Sequence, residues 1–194
     1  MIDERILSET VCNFFSGKKE LRSLSNFWEG DVVIKQNEKE RKYETGEHCF
    51  HGEKYTRLGE ECSDEIRKKV LLEYGRTFLK PSIYKTAAVA KKMGGKKGLL
   101  LYNDELYLWE ETSIPVQKCI CEYKFETYQE VRDDLMKTEE KILIHPAMRC
   151  REEELEKRIW EGRAVVRDGK VVVLGKNMLG RIWTGIRIRF KLNN

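Results

Sequence analysis

The sequence predicts a mainly α-helical single domain with a few short β-strands. Three observations predict it. Apolar residues recur at helical spacing over several long stretches. Only three short runs have the make-up of strands. No repeat, low-complexity tract or linker interrupts the 194 residues, a length that suits one domain with its own core.

In chain order, Thr10 to Phe15 and Asp31 to Lys35 read as short strands, the second followed by a charged loop from Gln36 to Lys42. Thr45 is a candidate N-cap, because its hydroxyl can accept a bond from a first-turn amide. Ser63 caps a helix through Phe78, with Ile66, Val70, Tyr74 and Phe78 one turn apart. Pro81 restarts the chain, and Ile83 to Met93 forms another helix, ended by Gly94-Gly95. Pro115 suits the first turn of a helix whose Val116, Ile120 and Tyr123 share one side. Thr127 and Glu130 make a capping box for the helix carrying Val131 and Leu135. Val171 to Leu174 is a strand, and Leu179, Ile182, Trp183, Ile186 and Phe190 stripe a last helix.

Charged residues make up 36% and hydrophobic ones 40%, with a net charge of +4 from 37 basic and 33 acidic side chains. That balance does not describe an extended phosphate-wrapping surface, although it permits a local basic groove. The opening Met1 to Arg5 lacks signal-peptide character, and no apolar run approaches the ~20 residues of a membrane span. An intracellular protein, cytoplasmic or nuclear, is expected. The six cysteines (Cys12, Cys49, Cys62, Cys119, Cys121 and Cys150) include no CxxC pair, so reduced thiols are expected and no metal site. His48 and His51 are three apart, where the HExxH pattern needs four.

The chemistry concentrates in the run from Tyr43 to Tyr55. Residues four apart stack on one helix face, so Glu47, His51 and Tyr55 form a row with Lys54 beside it. Glu47 lies where the helix dipole favours a carboxylate. An acid, a proton carrier and an amine thus converge near a helix N-terminus, although a capped surface helix would look the same. A second candidate is Gly175-Lys176-Asn177 through Gly180. There a strand stops, Asn177 can cap the next helix, and free amides can meet a phosphate. It is not a P-loop, because Arg181-Ile182 follows Gly180. Trp28, Trp109 and Trp160 offer flat faces to a base, while Trp183 belongs to the last apolar stripe.

The order of motifs adds to this. Cys12-Asn13-Phe14-Phe15-Ser16 is followed by Leu24-Ser25-Asn26-Phe27-Trp28, then by Glu47-His48-x-Phe50-x-x-x-Lys54-Tyr55. Ala90-Lys91-Lys92-Met93-Gly94, Trp109-Glu110, Tyr123 to Glu126, Arg158 to Gly162 and Gly175 to Arg181 complete the series. From about Asn13 to Phe190 the chain resembles the NADAR superfamily of YbiA-like N-glycosidases. The resemblance implies a single-domain YbiA-like fold, no cofactor and cleavage of a ribosyl–nitrogen bond. It implies a catalytic set of Glu47, Lys54 and His48. Glu47 would stabilise the anomeric cation or activate water. Lys54 would protonate the leaving group or attack an opened ribose as an amine. His48 and His51 can instead be structural. The implied ligand contacts are Asn13, Phe14, Ser25, Asn26, Phe27, His51, Trp109, Trp160, Gly162, Gly175, Lys176, Asn177 and Gly180.

The chain also departs from that pattern. Where YbiA-like members carry Leu-(Ile/Val)-Glu and then an aspartate, it reads Leu143-Ile144-His145-Pro146-Ala147 and a charged stretch from Arg149 to Arg158. The first glycine of the family's Trp-Gly-x-Gly is Glu161. A second acid, if needed, must come from Glu156, Glu161 or elsewhere, and Glu152 to Glu156 also fits a solvated helix face. Two substrate branches are implied: phosphorylated riboflavin-pathway intermediates, and ADP-ribose on guanine in nucleic acid. The departure around His145 favours the second, with Arg149, Arg151, Arg181, Arg187 and Arg189 available to a strand. A module that binds ADP-ribose without cleaving it stays open.

Overall fold

The computed structural model describes residues 2–17, 19–36 and 39–193. Mainly helical with small two-stranded sheets, it matches the expected fold class. Contacts gather into two compact units, Asn26–Thr127 and the combination of Met1–Ser25 with Tyr128–Asn194. Among the described residues no helix is long and apolar enough to cross a membrane.

The central unit, Asn26–Thr127, opens with a hairpin, β2 (Val32–Gln36) paired antiparallel to β3 (Lys39–Tyr43), in register from Val32 opposite Tyr43. The stretch read as a charged loop is therefore largely strand, with residues 37 and 38 outside the described residues. Only alternate side chains of β3 face inward, and one of these is Arg41, so no apolar pattern betrays the strand. Helix α2 (Gly46–Glu61) follows. As expected, Thr45 caps it, its hydroxyl accepting from the His48 amide at 3.3 Å. Helix α3 (Glu65–Arg76) is capped by Asp64 rather than Ser63. Its expected stripe holds at Tyr74 and Phe78, which reach the core, and fails in the first turns. Ile66 is 81% exposed, whereas Leu71 and Gly75 are buried, Leu71 in the apolar core.

Helix α4 (Ala87–Gly94) is shorter than predicted, because the Thr86 hydroxyl caps it by accepting from Val89 and Ile83 lies exposed before it. Helix α5 (Asn103–Thr127) holds Pro115 in its interior, not its first turn. It starts twelve residues earlier, where Glu105 accepts from the Tyr102 amide and forms a two-bond pair with Arg67. Val116 and Ile120 are buried as expected, packed with Tyr55, Leu58, Leu71 and Phe78.

In the other unit, α1 (Ile2–Thr10) leads into β1 (Val11–Asn13), which runs parallel to β4 (Ile142–Ile144). Helix α6 (Gln129–Met136) buries Val131 and Leu135 but starts without a capping box, since Thr127 ends α5 and Tyr128 takes the cap position. The short α7 (Glu152–Leu155) is anchored by Leu155 with Glu152 and Glu153 exposed, the solvated-face reading of that charge run. β5 (Arg163–Arg167) and β6 (Lys170–Leu174) form a hairpin closed by Asp168 and Gly169, both left-handed at φ 52° and 72°. Helix α8 (Met178–Leu192) buries Leu179, Trp183 and Ile186, and the Trp183 indole donates to the Leu24 carbonyl at 3.0 Å. Arg187 is buried too, donating to Thr138 and to the Lys141 carbonyl, so it is not available to a nucleic-acid strand.

One buried carboxylate ties the central unit together. Glu53 of α2 accepts from Arg41 Nε at 2.7 Å and Nη2 at 2.9 Å, from the Tyr43 hydroxyl at 2.8 Å and from Arg57 Nε at 3.2 Å. Its hydrogen bonds hold the Arg41 guanidinium above its usual pKa, against the opposing effect of burial. Glu53→Gln leaves Arg41 buried beside a neutral partner and is expected to cost about 3 kcal/mol or more, read as a lower urea midpoint.

Candidate active site

Helix α2 carries the candidate catalytic residues on three buried turns. The Asn26 carbonyl accepts the Glu47 amide at 3.0 Å and so fixes the start of the helix. The Asn26 side chain is itself locked in a reciprocal amide pair with Gln117 at 2.7 and 2.9 Å. Asn26, inferred as a ligand contact, therefore acts here through its backbone as a support for Glu47.

Glu47 is 7% exposed, and its carboxylate makes no hydrogen bond among the described residues. It faces His51, whose Nε2 lies 3.6 Å from Oε1, one turn along as the spacing predicted. His51 is 9% exposed, and neither ring nitrogen reaches a hydrogen-bond partner. Burial pushes its pKa below the usual value, the Glu47 carboxylate opposes this, and the charges of Lys54 and Lys91 add to it. A neutral imidazole results. The ring is packed edge-on to Phe50 at 5.4 Å, and Phe50 in turn meets half-buried Trp109 at 5.0 Å.

Lys54 lies on the same helix, 8% exposed, and donates to the Gly94 carbonyl. Burial lowers its pKa to about 8. The sequence marked Gly94 as a helix stop and motif residue, not as the partner of Lys54. A Cβ added there would lie 2.0 Å from His51 Cγ, so a glycine is what lets the end of α4 close over the imidazole. His48 belongs to the frame. Its Nδ1 bonds the Thr45 hydroxyl at 2.8 Å and its Nε2 bonds the Tyr84 carbonyl at 2.7 Å, leaving neither nitrogen for a substrate. That corrects its place in the catalytic set. Phe27 is half-buried, with the Lys91 ammonium 5.4 Å from its ring centre.

The remaining candidates belong to the other unit. Phe14 is fully buried, its amide donating to the Ile144 carbonyl and its ring 5.6 Å from that of His145. Ser25 is buried at the end of a 3-10 turn, Arg22–Leu24. Asn13 and Gly162 line a cavity of about 270 Å³ with Leu7, Val11, Ala147 and Arg163. Trp160 is half-buried and Lys176 exposed. Gly175 sits in the left-handed region at φ 79° and turns the chain toward Asn177.

The second candidate is stitched to the Trp160 segment by the backbone. The amides of Lys176, Asn177 and Met178 donate to the carbonyls of Arg158, Glu161 and Ile159. These amides are therefore consumed by the chain and not offered to a phosphate. Asn177 does not cap α8 with its side chain as expected. Instead it accepts from the His145 amide at 3.1 Å and donates to the Leu143 carbonyl at 2.8 Å. Gly180 lies so close to that carbonyl that a Cβ would stand 2.2 Å from it. Of the acids considered as a second carboxylate, Glu156 is exposed and Glu161 half-buried.

No protein-family model and no curated protein matches the chain. Among solved structures, the NMR structure of the Escherichia coli protein YbiA is similar, with a TM-score of 0.55 and 23% identity. The likeness covers 95% of this chain and 86% of that one. The fold is YbiA-like.

The depressed Lys54 pKa makes a stability prediction. Below about pH 8 the amine is protonated in both folded and unfolded chains, and the burial cost of its charge is fully present. Between about 8 and the model-peptide value of 10.5 the unfolded chain binds the extra proton, so stability rises with pH. Lys54→Met is therefore expected to gain most over wild type at neutral pH, by up to about 3 kcal/mol. Urea titrations at pH 7 and pH 10 should show that advantage shrinking.

Proposed function

We propose that the chain is an N-glycosidase hydrolysing a ribosyl–nitrogen bond, and that its substrate is ADP-ribose joined to guanine in nucleic acid. A contrast within α2 carries the reading. Glu53 is saturated by four structural bonds, whereas on the same helix both His51 ring nitrogens are buried without a hydrogen bond and face only the Glu47 carboxylate, 3.6 Å away. A buried polar group without a hydrogen bond costs about 1–3 kcal/mol, so an unbonded imidazole beside a carboxylate suits groups reserved for a ligand. The resemblance to NADAR N-glycosidases, which runs through Glu47 and Lys54, and the YbiA-like fold support the same reading.

Breaking the bond leaves positive charge on the anomeric carbon and an electron pair on the departing nitrogen. Glu47 suits the first, as an anion that stabilises the cation or takes a proton from the attacking water. Lys54 suits the second. With a pKa of about 8 it holds both forms near neutral pH, an ammonium to protonate the nitrogen and an amine able to attack an opened ribose. Water supplies the hydroxyl to carbon and, in net balance, the proton to nitrogen. The preference for guanine rests on the His145-Pro146 departure from the riboflavin-type pattern.

The test is incubation with ADP-ribosylated guanosine, followed by mass spectrometry, with Glu47→Gln in parallel. Wild type is expected to release free ADP-ribose, and the variant to lose about a thousandfold in turnover while keeping its melting temperature. Cleavage of phosphorylated aminopyrimidine ribosides instead would overturn the guanine reading. Binding of ADP-ribose without turnover of either substrate would overturn the enzyme.

A further inference from the structure

Thirty consecutive residues, Tyr74 to Asn103, contain seven basic side chains and no acidic one. The whole chain is only +4, so everything outside this segment is net acidic. Within it, Lys91, Lys92, Lys96 and Lys97 stand on the end of α4 and the glycine turn that follows, all four exposed. Several other lysines of this unit are neutralised, Lys42 and Lys80 by Asp31, Lys68 by Glu65, Lys118 by Glu122. None of the four is ion-paired among the described residues. Lys91 and Lys92 complement the dipole at the C-terminus of α4, an ordinary role. Lys96 and Lys97 lie beyond the helix, where no such account applies.

The turn holds its shape. The amides of Gly95 and Lys97 donate to the Lys92 carbonyl at 3.3 Å, Gly98 donates to Gly95 at 3.0 Å, and the Tyr74 hydroxyl holds the Met93 carbonyl at 2.8 Å. Gly94, at its centre, accepts Lys54 and closes over His51. A rigid row of unpaired cations therefore borders the candidate active site within one unit.

We infer that the Lys91–Lys97 turn docks the phosphate backbone of a single nucleic-acid strand while one of its bases is presented to α2. The inference rests on the glycosidase reading and extends it to a polymeric substrate. Chemistry on a base requires it out of a duplex stack, which selects a single strand. Four phosphate contacts on such a strand give a log affinity that falls with log salt at a slope of about −3.

The probe is an unmodified single-stranded oligonucleotide of about 20 nucleotides, titrated by fluorescence anisotropy at several salt concentrations. Wild type is expected to bind with that slope. The triple variant Lys92→Ala, Lys96→Ala, Lys97→Ala should lose about tenfold or more in affinity and reduce the slope by about two. Lys91 is left in place because it also faces Phe27. The substituted side chains are exposed, so an unchanged melting temperature controls for folding. No binding by wild type, equal binding of polyglutamate, or an unaltered slope in the variant would overturn the inference. None of these touches the glycosidase reading, which is tested on the free, non-polymeric substrates.

Discussion

The central unit depends on one buried carboxylate. Glu53 has no exposed side-chain surface, and two arginines and a tyrosine converge on it. Arg41 and Tyr43 belong to β3 and Arg57 to α2, so the interaction clamps the hairpin against the helix. A lone buried anion would be strongly destabilising. Here every lone-pair direction finds a donor, which turns a costly group into a point of registration. Burial and the Glu53 charge both raise the Tyr43 pKa, so the phenol stays a donor.

That clamp allows the same helix to hold other groups unsatisfied. Glu47 and His51 lie within two turns of Glu53, and Lys54 is its neighbour. A helix fixed by Thr45, Asn26 and Glu53 does not need bonds from Glu47 or His51 to stay in place. Gly94 completes the arrangement, supplying a carbonyl to Lys54 and leaving room for His51 by lacking a side chain. Candidate site and frame are thus interleaved residue by residue along α2.

Much of this was legible where local chemistry decides. The Thr45 cap, the Glu47–His51 row and the stripe of α8 follow from side-chain reach and helical period alone. Reading failed where a distant partner overrides local preference. β3 looks like a charged loop because its inward residue Arg41 is satisfied only by Glu53, twelve positions away. Asn177 looks like a cap, yet β4 claims its amide. Arg187 looks like a surface cation until Thr138 and Lys141 enclose it. The Asp168-Gly169 turn, by contrast, is a local two-residue hairpin signal that the structure follows.

By itself the sequence determined the helical class, the placement of an acid, an imidazole and an amine on one helix, and an order of motifs that resembles NADAR proteins. These depend on spacing, and spacing is local. Only the tertiary structure decided which of the polar groups are spent. His48 is spent on Thr45 and Tyr84, Glu53 on Arg41, Tyr43 and Arg57, while the His51 nitrogens are left without a hydrogen bond and face only Glu47. Whether a buried polar group has a partner depends on chain segments far apart in sequence, and no local period encodes that.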